Sequence, residues 1–285
     1  MKIDVAFSIN RSLALPLMVT INSIVQNAAQ PDDLRFNIIM PPGARSIFQE
    51  KIDTAFPDRR PQFRLTEYLP PDYMRTYLDA KFKATDPARK NSRYMQYSRL
   101  FFKFALPDVT RVIYFDADII VLGDVADLYA QGERLSASQY VGAVPQNFPA
   151  LGYFGNPIKG WAEIKQFKKT FNSGVLLTDL RFWTDETYER LRHYLDWDAE
   201  NDYKLFNLGD ETVMNLMFKR DYLPLDTNWN RCGYGNTKLI TWLFDQDANG
   251  MNAIHWSGGH HKPWRSKGIP FVDLWESYLP KALVS

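Results

Sequence analysis

The sequence predicts an α/β fold in which helices flank a mostly parallel central sheet. Two patterns carry that expectation. Strand-like and helix-like segments alternate from Ile3 to Tyr68, which calls for parallel strands joined by right-handed crossovers. The run Val112-Ile113-Tyr114-Phe115-Asp116-Ala117-Asp118-Ile119-Ile120-Val121-Leu122 is apolar, β-branched and aromatic around two carboxylates, and reads as an interior strand.

Taken in order, Ile3 to Ile9 is the first strand. Ser12 can cap a helix from about Leu13 to Ala29, with Pro16 tolerated in its first turn. Leu34 to Met40 is a second strand, stopped by Pro41-Pro42-Gly43. Ile47, Phe48, Ile52, Ala55 and Phe56 form a helical stripe over Ala44 to Phe56. Phe63 to Tyr68 is the third strand. Asp72 to Asp86 is polar and reads as irregular. With Lys81, Lys83, Arg89 and Lys90 nearby, the stretch to Asn91 is either a lid or a solvated loop. Arg93 to Leu106 is a helix ended by Pro107, and the aspartate-bearing strand follows. Gln139 to Val144 and Gly174 to Thr178 are strands separated by a Pro-, Gly- and Asn-rich loop from Pro145 to Gly160. Leu180 to Trp197 and Asp210 to Arg220 are helices, Asn252 to Trp256 is a short strand, and Pro270 to Ser285 is partly helical. No repeat or long linker appears. The simplest division is one domain over 1–265, with a helical extension over 266–285 packed on it.

The 285 residues are 45% hydrophobic and 15% aromatic, so a substantial core is expected. A net charge of +1 gives no global field for nucleic acid. A lone cysteine, Cys232, leaves no internal disulfide and fits a reducing compartment. No stretch has the length of a membrane span, and Met1-Lys2-Ile3-Asp4 begins a strand rather than a signal peptide. The expectation is a soluble cytoplasmic protein, with peripheral contact to an inner membrane left open.

Ionised carboxylates inside an apolar run are costly unless a cation or hydrogen bonds compensate them. On an extended backbone Asp116 and Asp118 point to one side, and at the carboxyl end of a parallel strand they face the ligand crevice. A pair of solvated strand-end aspartates is the plain alternative. Two carboxylates with open positions suit Mn²⁺ or Mg²⁺ completed by substrate phosphates. His255 is a candidate further ligand that would favour Mn²⁺; alone, it reads equally as a hydrogen-bonded structural histidine. Gly258 permits close backbone approach to phosphate, and Lys262 can place a point charge on it.

Five segments then stand in order: Tyr97-Ser98-Arg99-Leu100, Phe115-Asp116-Ala117-Asp118, Phe171-Asn172-Ser173-Gly174, Gly209-Asp210-Glu211-Thr212, and His255-Trp256-Ser257-Gly258 with Lys262-Pro263-Trp264. Together they resemble the motifs of family 8 glycosyltransferases, which include glycogenin and bacterial lipopolysaccharide galactosyl- and glucosyltransferases. The resemblance covers about residues 1–265. It implies a GT-A fold, a UDP-sugar donor, a divalent cation (usually Mn²⁺) and retention of anomeric configuration. By position it implies Asp116, Asp118 and His255 as metal ligands, and Lys262 and Gly258 as holders of the diphosphate. Ala6, Ser8 and Asn10 would face uracil and ribose, with Ala117 beside them. Arg99, Asn172, Ser173 and Asp210 would hold the sugar.

Two departures stand out. The first loop, Phe7-Ser8-Ile9-Asn10-Arg11, lacks the acid that relatives usually place against the nucleotide. Glu211 stands where the bacterial galactosyltransferases carry glutamine near the anomeric carbon, so Asp210 and Glu211 are the candidate catalytic carboxylates. Asp210 also suits the N-cap of its helix, a role compatible with sugar binding, and Glu211 reads equally as a first-turn glutamate favoured by the helix dipole. The implied activity moves a hexose, glucose or galactose, to a hydroxyl of a saccharide or glycolipid acceptor. The acceptor site is expected at the loop Pro145 to Gly160 and the segment Asn228 to Tyr234, and Trp229, Tyr234 and Trp256 are candidate sugar-stacking residues or core. An inactive binding homologue and a sugar nucleotidyltransferase are the rival readings.

Overall fold

The computed structural model describes residues 2–58, 61–237, 241, 244 and 246–283. The chain begins with β1 (Ile3–Ser8), α1 (Ala14–Asn27), β2 (Leu34–Met40), α2 (Arg45–Ala55) and β3 (Gln62–Glu67). There follow α3 (Asp72–Phe82), α4 (Pro87–Ser98), α5 (Phe102–Ala105), β4 (Arg111–Phe115), β5 (Ile119–Val121) and α6 (Val125–Ala130). Next come β6 (Val141–Gln146), α7 (Trp161–Ile164), β7 (Thr170–Asp179), α8 (Asp185–Ala199) and α9 (Asp210–Phe218). β8 (Leu223–Pro224), β9 (Arg231–Cys232), β10 (Ala253–His255) and α10 (Val272–Ser277) complete the order.

The large sheet runs β3-β2-β1-β4-β7-β6-β8. β1 to β4 pair in parallel as expected, and β8 is parallel to β6. β7 runs antiparallel to both of its neighbours, so the sheet is mixed at its centre. Apolar layers cover both faces. One packs α1 and α2 on Val5, Phe7, Phe36 and Ile113, and the other packs α3, α4, α8 and α9 on Ala6, Val112, Tyr114 and Leu176. Such two-sided cover explains why the parallel strands are continuous apolar runs. A small sheet, β5-β10-β9, has its own apolar cluster, which includes Trp256, Ile254 and Trp275 of α10. Asn22 Nδ2 donates to the Tyr278 carbonyl at 2.7 Å, tying the C-terminal segment to α1.

Five sequence expectations need correction. Ser12 does not cap α1, which starts at Ala14 with no side-chain cap; instead the Ser12 N–H donates to Asn10 Oδ1 at 3.0 Å. The apolar run from Val112 to Leu122 is two strands in two sheets. β4 ends at Phe115, and Asp116-Ala117-Asp118 is the turn that carries the chain across. Asp116 N–H donates to the Gly174 carbonyl at 2.8 Å on the large-sheet side, and Trp256 N–H donates to the Asp118 carbonyl at 3.0 Å on the other. The segment from Asp72 is helical to Phe82 because Met74, Tyr77 and Leu78 form a buried stripe. Its Lys81 is buried in an ion pair with Asp198. The helix placed over Arg93 to Leu106 breaks: α4 gives way to a tighter turn, Arg99–Phe101, that buries Arg99. The helix expected from Leu180 starts at Asp185, where Thr184 and Thr187 form a reciprocal cap.

Candidate active site

The site forms where the turn after β4 meets the ends of β7 and β10 and the start of α9. Asp116 Oδ1 accepts from Arg99 Nη2 at 2.8 Å and from the Tyr114 hydroxyl. Asp118 presents Oδ2 to the Lys262 ammonium, which also donates to the Trp256 carbonyl at 2.7 Å. His255 Nε2 lies 3.2 Å from Asp118 Oδ1 and 3.9 Å from Asp116 Oδ2. Ligand atoms of the three residues all lie within 4.8 Å of one another.

A chain of amides fixes how His255 is turned. Gly174 N–H donates to Asn172 Oδ1 at 3.0 Å, so that amide's Nδ2 faces Glu211 Oε2 at 2.8 Å. Asn230 Nδ2 also donates to Asn172 Oδ1, at 3.0 Å, which leaves Asn230 Oδ1 facing His255 Nδ1 at 2.9 Å. That oxygen can only accept, so Nδ1 carries the proton. The Nε2 lone pair then confronts a carboxylate oxygen. A proton on Nε2 or a cation between the groups is needed to reconcile them. The donor set, two carboxylates and an imidazole oriented by a second partner, therefore fits a divalent ion. Gly174 is required here: a Cβ would stand 2.3 Å from the His255 ring. Gly258 has φ +111°, a backbone that side chains disfavour.

α9 opens on Gly209 at φ +63°, and its first two residues face the cluster. Asp210 Oδ1 accepts from Gln96 Nε2 at 2.7 Å, and Oδ2 lies 3.3 Å from Arg99 Nε without a hydrogen bond. Gly209 occupies the cap position, so Asp210 does not act as an N-cap. Arg99 thus bridges Asp116 and Asp210, stacked 4.3 Å above the Tyr114 ring centroid. Glu211 receives Asn172, the Tyr153 hydroxyl at 3.2 Å and Gln146 Nε2 at 3.3 Å.

Charge is unevenly balanced. Burial raises Asp118, but His255 and Lys262 outweigh it and hold the carboxyl well below the usual range. Burial raises Asp210 against the pull of Arg99. Burial, then the Asp210 charge, pushes Glu211 up to about 7. Burial and Glu211 push the Cys232 thiol up to about 11, so it is no nucleophile near neutral pH.

Three cavities meet at this cluster. One of about 280 Å³ runs past Ser8, Asn10, Met95, Ala117 and Trp264 to Asp116 and Lys262. A second of about 190 Å³ lies among Arg99, Asn172, Ser173, Asp210, Glu211 and Gly258. A third of about 390 Å³ opens beyond Asn172 and Asn230, against Gln146, Asn147, Arg231 and Cys232. Every candidate for the metal, the nucleotide, the diphosphate or the donor sugar borders this space except Ala6, which is fully buried in the sheet. Trp229 and Trp256 are core, whereas buried Tyr234 shows an edge to the third cavity. Gln146, Tyr153 and Asn230 fall in the stretches expected at the acceptor site but were not singled out individually, and Gln96 and Tyr114 were not singled out at all. Two had a local signal: Tyr114 is two residues before Asp116 on one side of a strand, and Gln96 is three before Arg99 on one helix face.

The fold is of the GT-A type, with a carboxylate–histidine cluster at the ends of its strands. The profile of glycosyl transferase family 8 matches residues 4–268, and the chain belongs to that family. Among curated proteins it is 25% identical to probable galacturonosyltransferase-like 6 of Arabidopsis thaliana, over 97% of this chain and 79% of the relative. It is 26% identical to probable galacturonosyltransferase-like 3 of the same plant, over 90% and 74%. Among solved structures, the galactosyltransferase LgtC in complex with donor and acceptor sugar analogues superposes with a TM-score of 0.69 at 16% identity, covering 97% of this chain and 95% of the other. Mouse xyloside xylosyltransferase 1 gives a TM-score of 0.60 at 15% identity, over 89% and 96%.

Proposed function

We propose that the protein is a metal-dependent, retaining hexosyltransferase that moves glucose or galactose from a UDP-sugar to a hydroxyl of a saccharide or glycolipid. The observation that carries the reading is the position of Asp116, Asp118, His255 and Lys262 between a nucleotide-sized cavity and the pocket of Asp210 and Glu211. Asp116, Asp118 and His255 would hold the ion, Mn²⁺ ahead of Mg²⁺ because one donor is imidazole. When bound, it neutralises charge on the diphosphate as the sugar departs.

The chain's own groups supply the rest. Lys262 can turn from Asp118 to the diphosphate, and Gly258 lets the backbone come close. Arg99 keeps Asp210 oriented toward the sugar while satisfying Asp116. Its guanidinium is committed to two carboxylates, and Glu211 adds further negative potential. A neutral hexose suits that pocket better than a uronate, despite the names of the plant relatives. Both Glu211 oxygens already accept hydrogen bonds, Oε2 from Asn172 and Oε1 from Tyr153 and Gln146, which hold the carboxyl in place rather than free to attack. That favours attack of the acceptor hydroxyl on the face from which UDP leaves, with the departing phosphate oxygen taking the proton. The larger cavity beyond Asn172 would receive the acceptor.

The test is metal-dependent hydrolysis across a panel of UDP-sugars. UDP-glucose or UDP-galactose should be turned over with Mn²⁺, and chelation or Asp118→Asn should abolish it. Turnover that survives both would refute the assignment. A trapped glycosyl adduct on Asp210 or Glu211 would refute the same-face route alone.

A further inference from the structure

Among the described residues, six large apolar side chains are well exposed: Phe104, Phe148, Leu151, Ile158, Trp161 and Leu208. Four of them lie between positions 148 and 161, on the connection from β6 to β7. Scattered exposed apolar residues are ordinary, but a concentration of them is not. Ile158 is 88% exposed, Trp161 56% and Leu151 55%. These outward residues sit on a connection that is anchored from beneath. Tyr153 and Phe154 are buried, and Phe148 folds over Gly152. Gly155 N–H donates to the Leu205 carbonyl at 2.8 Å, and Asn207 N–H to the Tyr153 carbonyl at 2.8 Å. The segment is therefore shaped by the fold, yet its largest apolar groups point away from it.

The same segment is basic. Lys159, Lys165, Lys168 and Lys169 are exposed, and the one acid between 148 and 169, Glu163, is ion-paired with Lys219. Four lysines against one glutamate give the segment a net charge of +3 on a chain that is +1 overall. Apolar and aromatic groups set among lysines match the boundary of an anionic bilayer, where rings lie at headgroup depth and ammonium groups meet lipid phosphate. A second copy is a poorer occupant, because a two-fold contact through this patch would set these lysines against themselves. The segment also borders the active site. It leaves β6 at Gln146 and rejoins the site at Asn172, and Tyr153 touches Glu211.

We propose that the 148–169 segment docks on an anionic lipid bilayer and holds the acceptor-side cavity at the membrane surface. The proposal deepens the glycosyltransferase reading and rests on it for one consequence: the acceptor is a glycolipid presented from that surface.

The test is flotation of the full chain with phosphatidylcholine vesicles, with and without about one-third phosphatidylglycerol. Ile158→Ser/Trp161→Ser and Lys168→Glu/Lys169→Glu are compared with wild type, and hydrolysis of UDP-sugar in free solution is followed separately. Wild type should float with the anionic vesicles only and release in high salt. Each double variant should bind at least about tenfold more weakly and keep solution hydrolysis. No binding to anionic vesicles, or equal binding by the variants, would overturn the proposal. So would a wild-type dimer that the Ile158→Ser/Trp161→Ser variant dissociates. Absence of hydrolysis in wild type would defeat the glycosyltransferase reading and leave the vesicle result standing by itself.

Discussion

Two buried acidic clusters divide the labour of this molecule. At the junction of α3 and α8, Asp198 is fully buried and completely answered. Its Oδ1 accepts from the Leu205 and Phe206 amides at 2.8 and 3.0 Å, and its Oδ2 from Tyr77 and Lys81, each at 2.6 Å. Lys81 spends its other protons on the Tyr203 and Phe206 carbonyls at 3.0 and 3.1 Å. At the ends of β4 and β7, by contrast, Asp116, Asp118, Asp210 and Glu211 gather around Arg99 and Lys262. One Asp210 oxygen has no hydrogen bond, and His255 Nε2 lies 3.2 Å from an Asp118 oxygen. A charge cluster that closes its own accounts is architecture; one left short of positive charge is prepared for a ligand.

That contrast can be broken at either end. Asp210→Asn should lower sugar transfer about a thousandfold while the thermal midpoint at pH 8 stays level or rises, because burial already disfavours the charge it removes. A midpoint falling as far as that of an Asp198 variant would erase the distinction. Asp198→Asn should cost about 3–5 kcal/mol, roughly 10 °C of melting temperature, as it unbalances Lys81 and loosens the loop leading to α9. Its folded fraction should keep its turnover within about threefold, measured per active site.

Asn230→Ala probes the orientation of the histidine. It should weaken Mn²⁺ binding about 10–100-fold, read by calorimetry, with a smaller change in stability. The smallest effect concerns Glu211, whose ordinary value of 4.5 rises to about 7. The unfolded chain gives up this proton first, so the fold loses stability as pH climbs from about 4.5 to 7. The loss should be about 2 kcal/mol after discounting for partial exposure. Glu211→Gln should flatten that decline in a melting series from pH 4 to 8.

The alternation of β1, α1, β2, α2 and β3 was legible because each segment obeys a period its own burial imposes. So were Asp116, Asp118, His255 and Lys262, whose residue types are rare in such surroundings. The turn at Asp116 was not, because Phe115 and Ile119 are equally apolar and no Gly or Pro marks the change of sheet. Helix α3 was hidden by its polar face; its buried stripe is only Met74, Tyr77 and Leu78. Lys81 read as a solvated charge because its partner, Asp198, lies over a hundred positions away. Asn230 and Gln146 were illegible for the same reason: their roles exist only after the fold brings β6, β7 and β10 together.

The claim that this cluster is built for a cation is tested most directly by titrating Mn²⁺ into the protein with UDP present. Wild type should bind one ion with an affinity that UDP strengthens, and Asp118→Asn should lose that binding while remaining folded. Undiminished binding by Asp118→Asn, or no saturable binding by wild type, would contradict the account.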